Sequence, residues 1–363
     1  MRKTLLATSA LIAAGVLSGQ AMAEVKLTIS GGAKYEIDFV SDDAGSGGTE
    51  VDDQSVKEGR SSTQIFFTAE NTADNGLTYG YKLDLRPNST ADSSAPNTDE
   101  SYMYFSGNWG TFHIGQDDNV IDNQVVTGAD VLAGAAGFDG SIGTRGSHIG
   151  TAKVAPDLAT SEGDDSKVAY YSPKFSGFQV AVSYAPEVGG ASTRDNIVAS
   201  AINYSGEFGD VNVSGGVGYL FGDHDADQQD YEGLQAGLNV GFGAFSFGAG
   251  YTTDFDSVVS NASTLTPIAS TSTASGAETW DFGVAYNYGA GKVSLGYLYS
   301  EADDGANGTD NAQVFVVGAD YNVAEGLVAY GEFQYSESED DSAAANADEY
   351  EASAFVIGTK LSF

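Results

Sequence analysis

Apolar and polar residues alternate with a period of two through almost every structured stretch of this chain. The run "VKLTISGGAKYEIDF" sets Val25, Leu27, Ile29, Ala33, Tyr35, Ile37 and Phe39 on one face. Lys26, Thr28, Ser30, Lys34, Glu36 and Asp38 take the other. "TWDFGVAYNY" repeats the pattern, with Trp280, Phe282, Val284, Tyr286 and Tyr288 against Asp281, Gly283, Ala285 and Asn287. Such alternation belongs to strands with one apolar and one polar face. A chain built almost wholly of them must cover every apolar face and dispose of every sheet edge.

The connections alternate as well. One class is short: "ADNG" (73–76), "GNWG" (107–110), "KFSG" (174–177), "SGEFGD" (205–210), "GFGA" (241–244), "YGAGK" (288–292) and "AEG" (324–326). The other class is long, polar and acidic, and includes 41–59, 117–165, 254–277 and 337–350. Seven short turns and eight long loops join sixteen strands, the first over 25–40 and the last over 351–363. An even-numbered antiparallel meander with short turns at one end suits an all-β fold, a transmembrane up-and-down β-barrel. The sheet must close, because an open edge would leave backbone groups unpaired in hydrocarbon. Its apolar parity faces lipid and its polar parity faces water inside. Trp109, Phe112, Phe175, Phe178, Phe208, Phe242, Phe245, Tyr286, Tyr288 and Tyr321 lie near the short turns, where an interfacial girdle is expected. A secreted acidic β-rich surface protein would show similar alternation without the short–long rhythm.

The 363 residues include 15 Lys and Arg, 51 Asp and Glu and no Cys, for a net charge of −36. Such acidity excludes nucleic acid as a partner, since phosphate contacts need Lys and Arg. Without Cys there is no disulfide framework and no thiolate metal site. The first 23 residues read as a cleaved signal peptide. Arg2 and Lys3 precede an apolar run, Leu5 to Leu17, that closes on Ala21-Met22-Ala23. The barrel domain is then 24–363. No run of about 20 apolar residues remains to form a transmembrane helix.

Little in the sequence suggests catalysis. The three His residues, His113, His148 and His224, lack zinc-ligand spacing, and His113 reads as a polar lumen residue. No nucleophile elbow, phosphate loop or dinucleotide fingerprint occurs, so no cofactor is expected. Asp223, Asp225 and Asp227 alternate as at the start of an EF-hand. Gln228 stands where its Gly belongs and Leu234 where its Glu belongs, which leaves only loosely bound Ca²⁺ at acidic loops.

The scarce basic residues are more telling. Lys26, Lys34, Arg60, Lys82 and Arg86 fall on the polar parity of the first three strands, and Lys360 on that of the last. Closure would set Lys360 beside Lys26 and draw a positive stripe along one inner wall. The longest loop, 117–165, carries Asp117, Asp118, Asp122, Asp130 and Asp139. It also carries Val120, Ile121, Val125, Val126, Val131, Leu132 and Phe138, apolar enough to fold into the lumen and pack on the wall. Its acids would then face the basic stripe across a narrow waist, where opposed charges set ion preference. The strongly acidic mouth loops predict weak cation selectivity. A substrate-selective channel on the same barrel would need aromatics tracking a solute, and the inward Tyr102, Tyr104 and Tyr330 keep that alternative open.

The chain resembles the sixteen-stranded trimeric general porins of Gram-negative outer membranes, especially the alphaproteobacterial type. The resemblance is carried by "EVKLTISGGAKY", by "GTFHIGQDD" leading into the long third loop, by "VAYYSPKFSGFQVAVSYA" after it, and by the terminal "GTKLSF". It implies a homotrimer in the outer membrane, passive diffusion of small hydrophilic solutes, and a third loop inside each barrel. It also implies contact with outer-membrane lipid, with lipopolysaccharide through divalent cations, and with an assembly machinery that reads the terminal Phe363. The wall has fewer basic residues than a dense Arg cluster would supply, which weighs against strong anion preference.

Overall fold

The computed structural model describes residues 25–44, 56–87, 97–134, 165–187, 194–224, 230–255, 275–303, 309–339 and 349–363. The expected signal peptide, 1–23, lies outside them. The strands are β1 (Lys26–Ala44), β2 (Val56–Thr72), β3 (Thr78–Arg86), β4 (Asn97–Gly107), β5 (Gly110–Gln116), β6 (Ser166–Tyr171), β7 (Phe178–Glu187) and β8 (Arg194–Phe208). They continue with β9 (Val211–His224), β10 (Tyr231–Phe242), β11 (Phe245–Thr253), β12 (Ser275–Asn287), β13 (Lys292–Asp303), β14 (Thr309–Ala324), β15 (Leu327–Glu339) and β16 (Glu349–Ser362). Each pairs antiparallel with its neighbours in sequence, and β1 pairs with β16, so the sheet closes without an edge. This is the sixteen-stranded barrel that the alternation and the short–long rhythm predict.

Several strands run past their predicted ends. β1 pairs through Ala44 rather than stopping at 40, β2 begins at Val56 rather than 60, and β15 reaches Glu339 rather than 336. The backbone ladder needs no apolar neighbour to continue, so pairing outlasts the lipid-facing pattern. At the other end, Gly209 and Gly243 open two-residue hairpins with φ of 63° and 59°. That left-handed geometry matches the twist of the flanking strands and is easiest for Gly.

The apolar parity is the exposed one. Leu27, Tyr35, Phe112, Phe247, Leu295, Val317 and Phe355 all point away from the barrel. A belt of this kind would drive association in water and is stable in hydrocarbon. The ten aromatics near the short turns are all exposed, as an interfacial girdle requires. No helix among the described residues is long and apolar enough to cross a membrane, and barrels cross with strands instead. Closure is completed at the chain's last residue. Gly31 N–H donates to the Phe363 carbonyl at 2.9 Å, and Phe363 N–H donates to Gly31 at 3.0 Å. The Phe363 side chain is 60% exposed on the outer face.

The inner face departs from the prediction of a polar parity facing water throughout. Ala169, Ala181, Ala185, Ile197, Ala199, Ala201 and Leu220 point inward on β6 to β9 and are buried. Leu298, Val314, Val316, Ala352 and Ala354 do the same on β13, β14 and β16. The reason is that the chain itself covers these positions. The third long loop (L3, 117–165) leaves the wall after β5, which has seven residues, and returns at β6, which has six. Seven residues at about 3.4 Å, tilted by about 45°, rise ~17 Å, a little over half of a hydrocarbon core of ~30 Å. L3 therefore enters the barrel near mid-height.

Candidate functional site

The described part of L3, residues 117–134, lies on the inner wall, and its apolar side chains put it there. Val120 and Ile121 are completely buried with Val125 against β6 to β9, and Val131 and Leu132 pack against β13, β14 and β16. Phe138 lies outside the described residues. The loop backbone approaches the wall so closely that glycine is required beneath it. A Cβ on Gly237 would overlap the Val126 carbonyl oxygen, and one on Gly283 would overlap that of Gly128. The register aligns these glycines. Gly216, Gly237 and Gly250 lie directly opposite one another across β9, β10 and β11, and Gly248, Gly283 and Gly296 across β11, β12 and β13. The loop rests on a smooth track.

Polar anchors fix its height. At the root, the Asp117 carboxylate meets His113 Nδ1 at 2.6 Å and is 4% exposed, while Lys167 Nζ donates to the Asp117 carbonyl. Asn119 Oδ1 accepts from the backbone N–H of Ile121 at 2.6 Å and starts a tight turn. Farther along, buried Asp281 on β12 accepts from the backbone N–H groups of Gly128 and Ala129, where a single 3₁₀ turn, Gly128–Val131, begins. Ala133 N–H donates to Ser294 Oγ at 2.7 Å. A carboxylate at the positive end of a helical turn is both a hydrogen-bond acceptor and a favourable charge.

The acids predicted to guard a waist therefore have separate surroundings. Asp117 is buried in the root. Asp118 is half-buried, and Asp122 is exposed, accepting from Asn119 Nδ2 at 3.3 Å. Asp130 is exposed and accepts from the Thr127 N–H at 2.8 Å. Asp139 lies outside the described residues.

The basic wall is locally neutralised. Lys34 sits 3.4 Å from Glu36, and Lys82 sits 2.5 Å from Glu100. Arg86 contacts Asp99 and lies 3.8 Å from Asp84. The Arg60 side chain lies outside the described residues, although its backbone pairs with Glu36. Lys360 is not beside Lys26. Register sets Lys360 opposite Lys34, and Lys26 opposite Glu70, because the β1–β16 ladder ends with Gly32 opposite Ser362 and leaves Lys26 below it. Lys34, Lys82 and Arg86 thus form local pairs with wall acids rather than a bank opposed to L3. The sequence reading missed Glu36, Asp84, Asp99 and Glu100, three of which share the inward parity of the bases. It also missed Lys167 and Asp281, whose roles depend on where L3 lies.

Between the L3 turn and the short-turn end is a cleft of about 290 Å³, lined by Lys82, Glu100, Tyr102, His113, Asn123 and Gln124 among others. His113 stacks on Tyr102 with ring centres 4.5 Å apart, and Tyr171 at 5.0 Å and Tyr104 at 6.4 Å also meet its ring. Lys82 Nζ lies 5.2 Å from the Phe66 ring centre and 5.5 Å from that of Tyr102, within cation–π range.

Residues 7–341 match the sequence model of a family described as Gram-negative porin. The chain belongs to the Gram-negative porin family. A monosaccharide porin of Halomonas sp is 24% identical over 391 aligned positions, covering 94% of this porin and 96% of the relative. The major outer membrane protein of Halomonas elongata matches with the same identity and coverage. Among solved structures, a mutant of Rh. blastica porin superposes with a TM-score of 0.61 at 18% identity, covering 93% of this porin and all of that chain. An anion-selective porin from Comamonas acidovorans gives 0.61 at 15% identity, covering 94% of this porin and 100% of that chain. OmpT of Vibrio cholerae in its trimer form gives 0.61 at 17%, covering 93% of this porin and 99% of that chain.

The porin is accordingly an outer-membrane channel for small solutes and not an enzyme. Among the described residues, no group of three or more His, Cys, Asp or Glu could hold a metal ion. Asp223 is exposed and accepts from Asn196 Nδ2 at 2.8 Å, while Asp225 and Asp227 lie outside the described residues.

Proposed function

We propose that each barrel is a water-filled pore for passive diffusion of ions and small hydrophilic solutes, weakly cation-selective, with L3 as its constriction and three chains per assembly. One observation carries the selectivity. Lys34, Lys82 and Arg86 each have a wall carboxylate within 4 Å, so these three do not act as a free positive bank. The exposed acids Asp122 and Asp130 and a net charge of −36 then weigh toward cations. The fold is shared with an anion-selective porin, so the barrel by itself does not set the sign. The trimer follows the state in which the Vibrio cholerae relative was solved. Phe363, exposed at the short-turn rim, suits the role of an assembly signal.

Planar-bilayer recording in asymmetric KCl tests this. Closures should come in threes, and the reversal potential should favour K⁺ modestly. A potential favouring Cl⁻ would remove the selectivity, and folded protein without conductance would remove the channel.

A second reading, selectivity for one small solute on the same barrel, is favoured by the aromatic-lined cleft under L3. The Halomonas relative is named for monosaccharides.

A further inference from the structure

We infer that the cleft under L3 is a binding subsite for a single neutral sugar ring, placed on the diffusion path between the constriction and the short-turn end. The inference rests on the proposed diffusion pore and gives it a solute class.

Size is the first argument. At about 290 Å³ the cleft lies at the small end of ligand pockets, which run from roughly 300 to 1,000 Å³. That volume has room for one pyranose rather than for a chain of them.

Charge is the second. The charged groups in the cleft already have partners, Lys82 and Glu100 each other and the Asp117 carboxylate His113 Nδ1. An anion would have to displace Glu100 from Lys82, and a cation would have to displace Lys82 from Glu100. A neutral solute can hydrogen-bond to both partners while the pair stays intact.

Hydrogen bonding is the third. Asn123, Gln124 and Gln179 add amide groups that both donate and accept, as a ring of hydroxyls does. Gln124 is half-buried, and its Oε1, shielded from solvent and with no hydrogen-bond partner among the described residues, becomes an acceptor for an incoming hydroxyl once the amide turns toward the cleft. Tyr102 stacks on His113 and Tyr171 meets it tilted at 50°; both tyrosines are buried, so the half-buried His113 is the ring of the three that can meet a pyranose.

The test uses the full-length trimer in planar bilayers, with D-glucose added to symmetric KCl. Glucose should reduce the K⁺ current saturably, and raffinose, a trisaccharide, should not. Gln124→Ala and Gln179→Ala should each raise the half-blocking glucose concentration about fivefold, the equivalent of one lost hydrogen bond. Each variant's block is normalised to its own sugar-free current, so a changed bore does not count. A block that grows linearly with glucose and follows only solution viscosity, in channels of normal KCl conductance, overturns the subsite and leaves the pore standing. Equal saturable block by raffinose overturns the single-ring assignment. Absence of KCl conductance overturns the diffusion pore itself, and the subsite with it.

Discussion

At the scale of single residues, the glycines under L3 do what no side chain can. Gly237 lies where a Cβ would overlap the Val126 carbonyl oxygen, whereas a Cβ on Gly241, of the same parity on the same strand, would find its nearest neighbour at 3.6 Å. Gly237→Val should push the middle of L3 toward the pore axis and cost about 1–3 kcal/mol through overpacking. Single-channel conductance should fall and the heat-unfolding temperature drop. Gly241→Ala should leave both near the wild-type values. Equal behaviour of the two variants would show that L3 does not bear on the glycine track. In the sequence these glycines are visible only as relief of crowding or as bends. They become a track only when Gly216, Gly237 and Gly250 are aligned across three strands, and strand register is not written in any one segment.

At the scale of elements, the strands were legible and the inserted loop was partly so. Period-two alternation fixes a strand and its faces wherever it occurs, and the short turns order the strands into a meander. Val120, Ile121, Val131 and Leu132 mark L3 as a segment that seeks burial, but not which wall it finds. The anchors were illegible because each joins residues far apart in sequence. Asp281 lies 153 residues from the Gly128 N–H that it accepts, and Lys167 lies 50 from the carbonyl of Asp117. Asp281→Ala would leave the buried N–H groups of Gly128 and Ala129 without an acceptor, at about 1–3 kcal/mol for a buried unsatisfied group. The expected outcome is a barrel that still folds, with a noisier open-channel current and faster protease cleavage within L3. Unchanged noise and unchanged cleavage would mean that Asp281 does not hold the loop.

At the scale of the whole molecule, two sources of selectivity compete, and salt separates them. One is the distant field of an acidic protein with a net charge of −36. The other is local to the constriction, where Asp122 and Asp130 are exposed and the wall bases are paired at short range. Distant charges act only within a screening length of about 3 Å in 1 M salt, about 10 Å at 0.1 M and about 30 Å at 0.01 M. Pairs in contact change little over that range, because no ion shell fits between the partners. If the acidic mouths concentrate cations, the K⁺ over Cl⁻ permeability ratio should rise steadily as KCl is lowered from 1 M to 0.01 M at a fixed gradient. If the constriction sets it, the ratio should stay nearly flat. The surplus of acids argues for the first outcome, since Lys34, Lys82 and Arg86 already have carboxylate neighbours and have little field left with which to oppose it. A flat ratio would move selectivity into the waist. The double variant Asp122→Asn, Asp130→Asn would then lower the ratio by more than neutralising an equal number of mouth carboxylates.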